Sequence, residues 1–345
     1  MPESVGRTVL VTGASGVIGR ALVQRLQDDG MSVLALTHRR PAGAGALSVP
    51  GSLTETRLGL SASTYAELVN RVDAVVHSAA VTSFNRDDGS LEATNVGGTR
   101  QILEFAAAAD VPLYHVSTAY LHARADGERG RTAVRYAASK REAEALVRAS
   151  GVEHVILRPS IVIGDSRTGE ITAFQGLYQV ARALFDGLLP LIPFDPTWPV
   201  DFVPLDVVAD AISAVVSTQV TSGEFWISAG ERALTLREAL ETGIQLAAEF
   251  DRSVDAPRFV PPELFDRLIA PVFLDALPEE LRATVLGLLE FFAAYLAVEE
   301  PLPSSLDELV PLGVQPLPDQ AASLRASITY WAHERGYFPR VAAAV

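Results

Sequence analysis

Tyr136 and Lys140 stand four positions apart in the run Tyr136-Ala137-Ala138-Ser139-Lys140. On a helix that spacing places phenol and ammonium on one face, one above the other. A free tyrosine titrates near 10 and exchanges protons poorly at neutral pH, and a neighbouring ammonium is expected to lower it. Lys140 is the single lysine among 28 basic side chains, the other 27 being arginine. A chain that uses arginine almost everywhere needs a chemical reason for one compact ammonium, because a guanidinium spreads its charge over a bulky planar fork. Upstream, residues 116–120 read Val-Ser-Thr-Ala-Tyr at the expected end of a strand. The hydroxyl of Thr118 is suited to holding a carbonyl oxygen while negative charge develops on it.

A second cluster lies near the beginning. Thr12-Gly13-Ala14-Ser15-Gly16-Val17-Ile18-Gly19 falls between an expected strand over 8–11 and an expected helix over 16–29. Gly13, Gly16 and Gly19 allow a tight turn and bring the backbone N–H groups around Ser15, Val17 and Ile18 close to a pyrophosphate at a helix N-terminus. The next strand ends at Thr37-His38-Arg39-Arg40, where an NAD-binding chain usually places an acidic residue for the ribose 2′-hydroxyl. His38, Arg39 and Arg40 would instead attract a 2′-phosphate, so NADPH is the expected cofactor.

These clusters need a scaffold that places strand ends together. Expected strands over 8–11, 32–36, 46–49, 74–76, 113–116 and 154–157 alternate with helical patterns over 64–72, 91–108 and 137–149. That alternation implies an α/β fold, a doubly wound Rossmann-type parallel sheet covered by helices. The expected division is a dinucleotide-binding core over 1–165, to which 201–228 returns through strands at 201–203 and 225–227 and a helix over 205–216. Segments 166–200 and 229–345 form a smaller, largely helical substrate region, with Thr235 and Glu238 spaced as a capping box and the part beyond residue 255 expected to be all helical. Phe174, Leu177, Val180, Leu184, Leu188 and Leu191, or the tail over 262–297, could wall an apolar pocket or simply pack as core.

Composition narrows the function. The net charge of −14 argues against a surface that tracks nucleic-acid phosphates. The absence of cysteine excludes disulfides, thiolate metal sites and a cysteine nucleophile, and no metal is expected. The most apolar stretch, 284–297, is too short to span a bilayer and includes Glu290, and no leader pattern is present, so a cytoplasmic protein is expected.

The ordered set TGASGVIG, HSAA at 77–80, Asn95, STAY, YAASK, RPSIVIGD from Arg158 and DFVPLDVVADAI from Asp201 resembles the extended short-chain dehydrogenase/reductase superfamily over about residues 6–234. Within it, GSLTETRLGLS at 51–61, HVSTAY and VDFVPLDVVADAI look most like thioester reductases and fatty acyl-CoA reductases, the male-sterility type. The resemblance implies Thr118 as the hydroxyl that binds the oxyanion, Tyr136 as proton donor and Lys140 as the tyrosine's partner and a cofactor contact. It also implies a cofactor lined by Ser52, Leu53, Ser78, Ala79, Ala80, Asn95, Pro159, Ser160 and Ile161. Two departures stand out. Ser52 replaces the aspartate that usually bonds the adenine amine, and only 17 residues separate Thr118 from Tyr136, where acyl-CoA reductases commonly have more. That segment carries His122, Arg124, Arg129, Arg131 and Arg135, which could receive a phosphate of coenzyme A or phosphopantetheine or could simply be solvated.

The leading expectation is NADPH-dependent reduction of an acyl thioester, on coenzyme A or an acyl carrier protein, to aldehyde or alcohol. The alternatives are a small-molecule ketone or aldehyde reductase and a regulatory protein that binds NADP without turnover. The intact Tyr136–Lys140 pair weighs against the last.

Overall fold

A computed structural model describes residues 6–38, 41–42, 45–82, 89–121, 131–270 and 299–339, together with 278–279, 282, 285–289 and 295. Seven parallel strands build one sheet. They are β1 (Thr8–Thr12), β2 (Ser32–Thr37), β3 (Leu47–Pro50), β4 (Ala74–His77), β5 (Leu113–Val116), β6 (His154–Pro159) and, much later in sequence, β11 (Gly223–Ile227). Their order is β3-β2-β1-β4-β5-β6-β11, so the chain reverses direction between β1 and β4. Strand side chains alternate in direction, and the apolar ones fill both faces. Val9 and Val11 enter one core with α1 (Val17–Asp28) and α6 (Leu205–Ser217), and Leu10 enters the other with residues of α3 (Gly98–Ala109). A sheet buried on both sides is what continuous β-branched runs require, and the expected α/β class is the one observed.

The remaining elements adjoin the C-terminal ends of the strands. β7 (Ile161–Ile163) pairs in parallel with β10 (Phe202–Pro204). β8 (Leu191–Ile192) pairs with β13 (Arg258–Phe259), and β9 (Pro199–Val200) pairs antiparallel with β12 (Leu234–Thr235). A separate core joins α5 (Leu177–Phe185), α7 (Leu236–Glu249) and α8 (Gln320–Glu334). The capping box of α7 is present, with Thr235 accepting from the Glu238 amide and the Glu238 carboxylate accepting from the Thr235 amide at 2.8 Å.

Several boundaries depart from the expected ones. β13 interrupts the stretch beyond 255 that was expected to be helical throughout, because Arg258 and Phe259 add to the short strand β8. The helix expected over 91–108 opens as a π-helical segment, Glu92–Gly97, before continuing as α3. The helix expected over 137–149 already includes Tyr136: α4 spans Arg131–Ala149 and places Tyr136 in its second turn.

Candidate active site

The topological reversal between β1 and β4 opens a crevice at the carboxyl ends of the strands, the usual ligand position in such sheets. After β1 the chain turns through Gly13 at φ +73°, and a Cβ there would lie 2.6 Å from the Ala79 nitrogen. Only glycine lets the turn approach the Ser78–Ala79 backbone this closely. A Cβ on Gly19 would collide with the Gly13 carbonyl, so α1 also needs glycine to seat against the turn. The N-terminus of α1 at Gly16 has no side-chain cap and no acidic residue in its first turn. Its amides and dipole are therefore available to an anion, with Ser15, Val17 and Ile18 half-buried beside them.

Two hydrogen bonds fasten the crevice. The Thr12 hydroxyl pairs with His77 Nδ1 at 2.7 Å, and the Ala79 amide donates to Thr12 Oγ1 at 3.3 Å. Ser78, Ala79, Ala80 and Ile161 are half-buried, while Pro159 and Ser160 are buried at the end of β6. Ser52 is buried and hydrogen-bonds the Thr54 hydroxyl at 3.0 Å, and Leu53 packs against Gly98. Asn95 accepts from the Val81 amide at 2.8 Å and donates to Ser139 Oγ at 3.0 Å, which ties the segment after β4 to α4. His38 is exposed at the end of β2, and Arg39 and Arg40 lie outside the described residues. So do His122, Arg124 and Arg129; of that loop's basic side chains Arg135 is described, 3.5 Å from Glu92.

Thr118, Tyr136 and Lys140 are all buried, at 7%, 9% and 2% exposure. Thr118 and Tyr136 are brought together: the threonine hydroxyl hydrogen-bonds the phenol. Burial pushes the Tyr136 phenol up to about 12, and the Thr118 hydrogen bond works against that rise. The expected lowering by Lys140 is thus not found. Lys140 Nζ instead donates to the Val116 carbonyl at 2.9 Å, and burial brings its own titration down to about 8 despite the nearby Glu144 carboxylate.

Three features escaped the sequence reading. His77 and His115 lie side by side with ring centroids 5.4 Å apart and planes tilted by 36°, both buried near Lys140. Burial and the Lys140 charge hold His77 down at about 3 and His115 well below the usual imidazole value. Neither ring nitrogen of His115 has a hydrogen-bond partner among the described residues. One turn beyond Lys140, the buried Glu144 receives Arg158 bidentately at 2.9 and 2.7 Å. The same Arg158 reaches Glu224 at 2.7 Å and stacks 5.0 Å from the Trp226 ring, and Arg148 bridges Glu144 and Glu224 from outside at 2.7 and 2.6 Å. Lastly, Tyr295, from the far C-terminal part, packs edge-on against Tyr120 at 4.9 Å and comes near Tyr136. The Tyr120 hydroxyl donates to the Asp201 carbonyl at 2.8 Å, while the Asp201 carboxylate accepts from the Ala229 and Gly230 amides at 2.9 Å each. STAY and VDFVP gave the local hint for Tyr120 and Asp201; nothing local singles out Tyr295.

Among the described residues no group of three or more His, Cys, Asp or Glu side chains could hold a metal, and no helix is long and apolar enough to cross a membrane.

Residues 46–212 match the male sterility protein family, whose model is of the NAD-binding type. The polyketide synthase–nonribosomal peptide synthetase phmA of Phaeosphaeria nodorum is 28% identical over 371 residues, covering 95% of this chain and 8% of phmA. The chain therefore spans a small fraction of this multidomain relative. The terminal R domain of the myxalamid biosynthetic pathway superposes with a TM-score of 0.76 at 22% identity, over 99% of this chain and 94% of the other. A thiolation–reductase di-domain from an archaeal non-ribosomal peptide synthetase gives 0.71 at 17% identity, over 97% and 76%. At these identities the structural likeness speaks for the fold.

Proposed function

We infer that this chain is a member of the extended short-chain dehydrogenase/reductase superfamily with a male sterility-type NAD-binding domain, and that it reduces a carrier-bound acyl thioester to an aldehyde with NADPH. The observation that carries the reading is the buried Thr118–Tyr136 hydrogen bond at the mouth of the strand ends, one helical turn from Lys140. The glycine turn and the uncapped N-terminus of α1 fit a pyrophosphate, and His38 with Arg39 and Arg40 supplies charge for a 2′-phosphate. When bound, NADPH supplies the hydride.

The side chains account for the rest. Thr118 and Tyr136 present two hydroxyls to the thioester oxygen, and their hydrogen bonds strengthen as charge develops on it. A phenol held near 12 is fully protonated at neutral pH, yet it is far more acidic than the alcohol its proton would form. Tyr136 is therefore suited to give its proton to the alkoxide of the tetrahedral hemithioacetal, from which the thiol leaves as the carbonyl re-forms. Lys140 is fixed on the Val116 carbonyl one helical turn from Tyr136, and its role in this reading is a contact to the cofactor rather than a shift of the phenol. The low dielectric of this buried corner strengthens each of these interactions. The thiolation–reductase architecture of one structural relative supports a carrier protein as the partner that delivers the acyl group.

The test is product analysis with purified protein, NADPH or NADH, and an acyl thioester carried on a phosphopantetheinylated carrier or on coenzyme A. Aldehyde and free thiol in step with NADPH consumption support the reading, and alcohol would indicate a second round. Reduction of free aldehydes or ketones alone would replace it with the small-molecule reductase. Cofactor binding with no turnover on any of these would replace it with the regulatory protein.

A further inference from the structure

Beyond β5 the chain keeps its pairing with β6: the Ser117 and Ala119 amides donate to the carbonyls of Leu157 and Pro159 at 2.7 and 2.9 Å. Thr118 and Tyr120 are carried on the same extended ribbon, and the Tyr120 amide donates back to Thr118 Oγ1 at 3.3 Å. That bond occupies one lone pair of the threonine oxygen. The Thr118 hydroxyl is thereby held between the Tyr120 amide and the Tyr136 phenol.

What fixes Tyr120 lies far away in sequence. The residue is 6% exposed, and its hydroxyl donates to the main-chain carbonyl of Asp201, 81 positions on, at 2.8 Å. A phenylalanine would fill the same space with no polar atom to satisfy, so the hydroxyl needs a reason. Asp201 is a firm anchor. It is 3% exposed, its carboxylate accepts from the Ala229 and Gly230 amides at 2.9 Å each, and the strand that follows it, β10, pairs with β7. Gly230 is itself confined, with φ at +59° and a Cβ there only 2.9 Å from Ser304 Cβ. The backbone that carries Thr118 is thus braced on one side by β6 and on the other by the Asp201 anchor.

We propose that Tyr120 is a positioning residue: clamped on the Asp201 carbonyl, it holds its own amide where that amide sets the Thr118 hydroxyl against Tyr136 and the substrate carbonyl. Tyr120 touches no substrate in this assignment and acts through Thr118. The inference rests on the thioester reading for the reaction, but on the hydrogen bonds alone for the geometry. A threonine left to itself samples more than one staggered rotamer. The clamp removes that freedom before substrate arrives, which is the preorganisation that stabilising a developing oxyanion requires.

A double-variant cycle separates positioning from packing. In single turnover of an acyl-coenzyme A thioester with NADPH, Tyr120→Phe should slow the chemical step by about 10–10²-fold and leave NADPH affinity within about twofold. In a Thr118→Val background the same change should add less than about twofold, because no hydroxyl remains to be positioned. Equal losses in both backgrounds, or a native rate for Tyr120→Phe, would overturn the proposal. Carbon NMR of protein labelled at tyrosine Cζ reads the same geometry without turnover, the Tyr136 signal being the one lost in Tyr136→Phe. That signal should move in Tyr120→Phe and in Thr118→Val, and the double variant should match Thr118→Val. A Tyr136 signal unmoved by Tyr120→Phe would also overturn the proposal. Should Tyr120→Phe fold poorly, Asp201→Asn loosens the same clamp from its far end and should give the same pattern. A native protein that reduces no thioester removes the thioester reading, while the Tyr136 signal still decides the clamp.

Discussion

Glu144→Gln perturbs the ion cluster beneath the candidate catalytic helix, and its effect can be worked from the contacts. Glu144 is 1% and Arg158 5% exposed at the side chain, and the carboxylate accepts both arms of the guanidinium. Glutamine keeps one acceptor oxygen but turns its amide toward a cation, leaving Arg158 with Glu224 and the Trp226 face. Breaking a buried pair from one side costs about 3–5 kcal/mol. At about 2.1 cal/mol/K per residue, unfolding 345 residues has an entropy near 0.7 kcal/mol/K, so the melting temperature should fall by about 4–7 °C. Glu224→Gln supplies the contrast. Its side chain is 40% exposed, so its pairs with Arg148 and Arg158 are screened, and the shift should stay within about 1.5 °C. Differential scanning calorimetry on the two variants decides the matter. Equal small shifts would refute a buried charge network; a larger loss for Glu224→Gln would place the dominant contact on the wrong carboxylate.

His77 should make the fold acid-labile: its folded value of about 3 lies below the free 6.5, so the native state binds fewer protons between them. Stability is then complete above pH 6.5 and lost as pH falls toward 3, on the order of 4 kcal/mol from this residue, and His77→Asn should flatten that limb in urea titrations. Replacing Arg39 and Arg40 with alanine should weaken NADPH at least tenfold per arginine and leave NADH nearly unchanged, as read by cofactor fluorescence; equal weakening of both would remove the 2′-phosphate assignment. Ser52→Asp should tighten both cofactors by about 1 kcal/mol or less, and markedly weaker binding would show an adenine pocket of another shape.

What the sequence made legible followed from local period and spacing. β-branched runs of four or five residues between helical stripes specified a buried parallel sheet, and the strand between residues 154 and 159 was found from its apolar start alone. The helix was placed too late because residues 131–135, Arg-Thr-Ala-Val-Arg, carry no apolar stripe that would extend it ahead of Tyr136. Pairing at a distance left no trace in sequence. Glu144 meets partners 14 and 80 positions away through Arg158 and the Arg148–Glu224 bridge, and Tyr295 reaches Tyr120 across 175 positions. The influence assigned to Lys140 failed for a related reason. The i, i+4 spacing sets which face a side chain occupies, but the nearest carbonyl, Val116, decides where its nitrogen points.

The most direct test of the central claim is single-turnover reduction of a carrier-bound acyl thioester by NADPH in the native protein and in Tyr136→Phe. That substitution removes one hydroxyl from a buried ring and should leave the fold and NADPH affinity intact. If Tyr136 protonates the hemithioacetal oxygen beside Thr118, the chemical step should slow by about 10²–10⁴-fold. A Tyr136→Phe protein that reduces the thioester at the native rate would contradict the account.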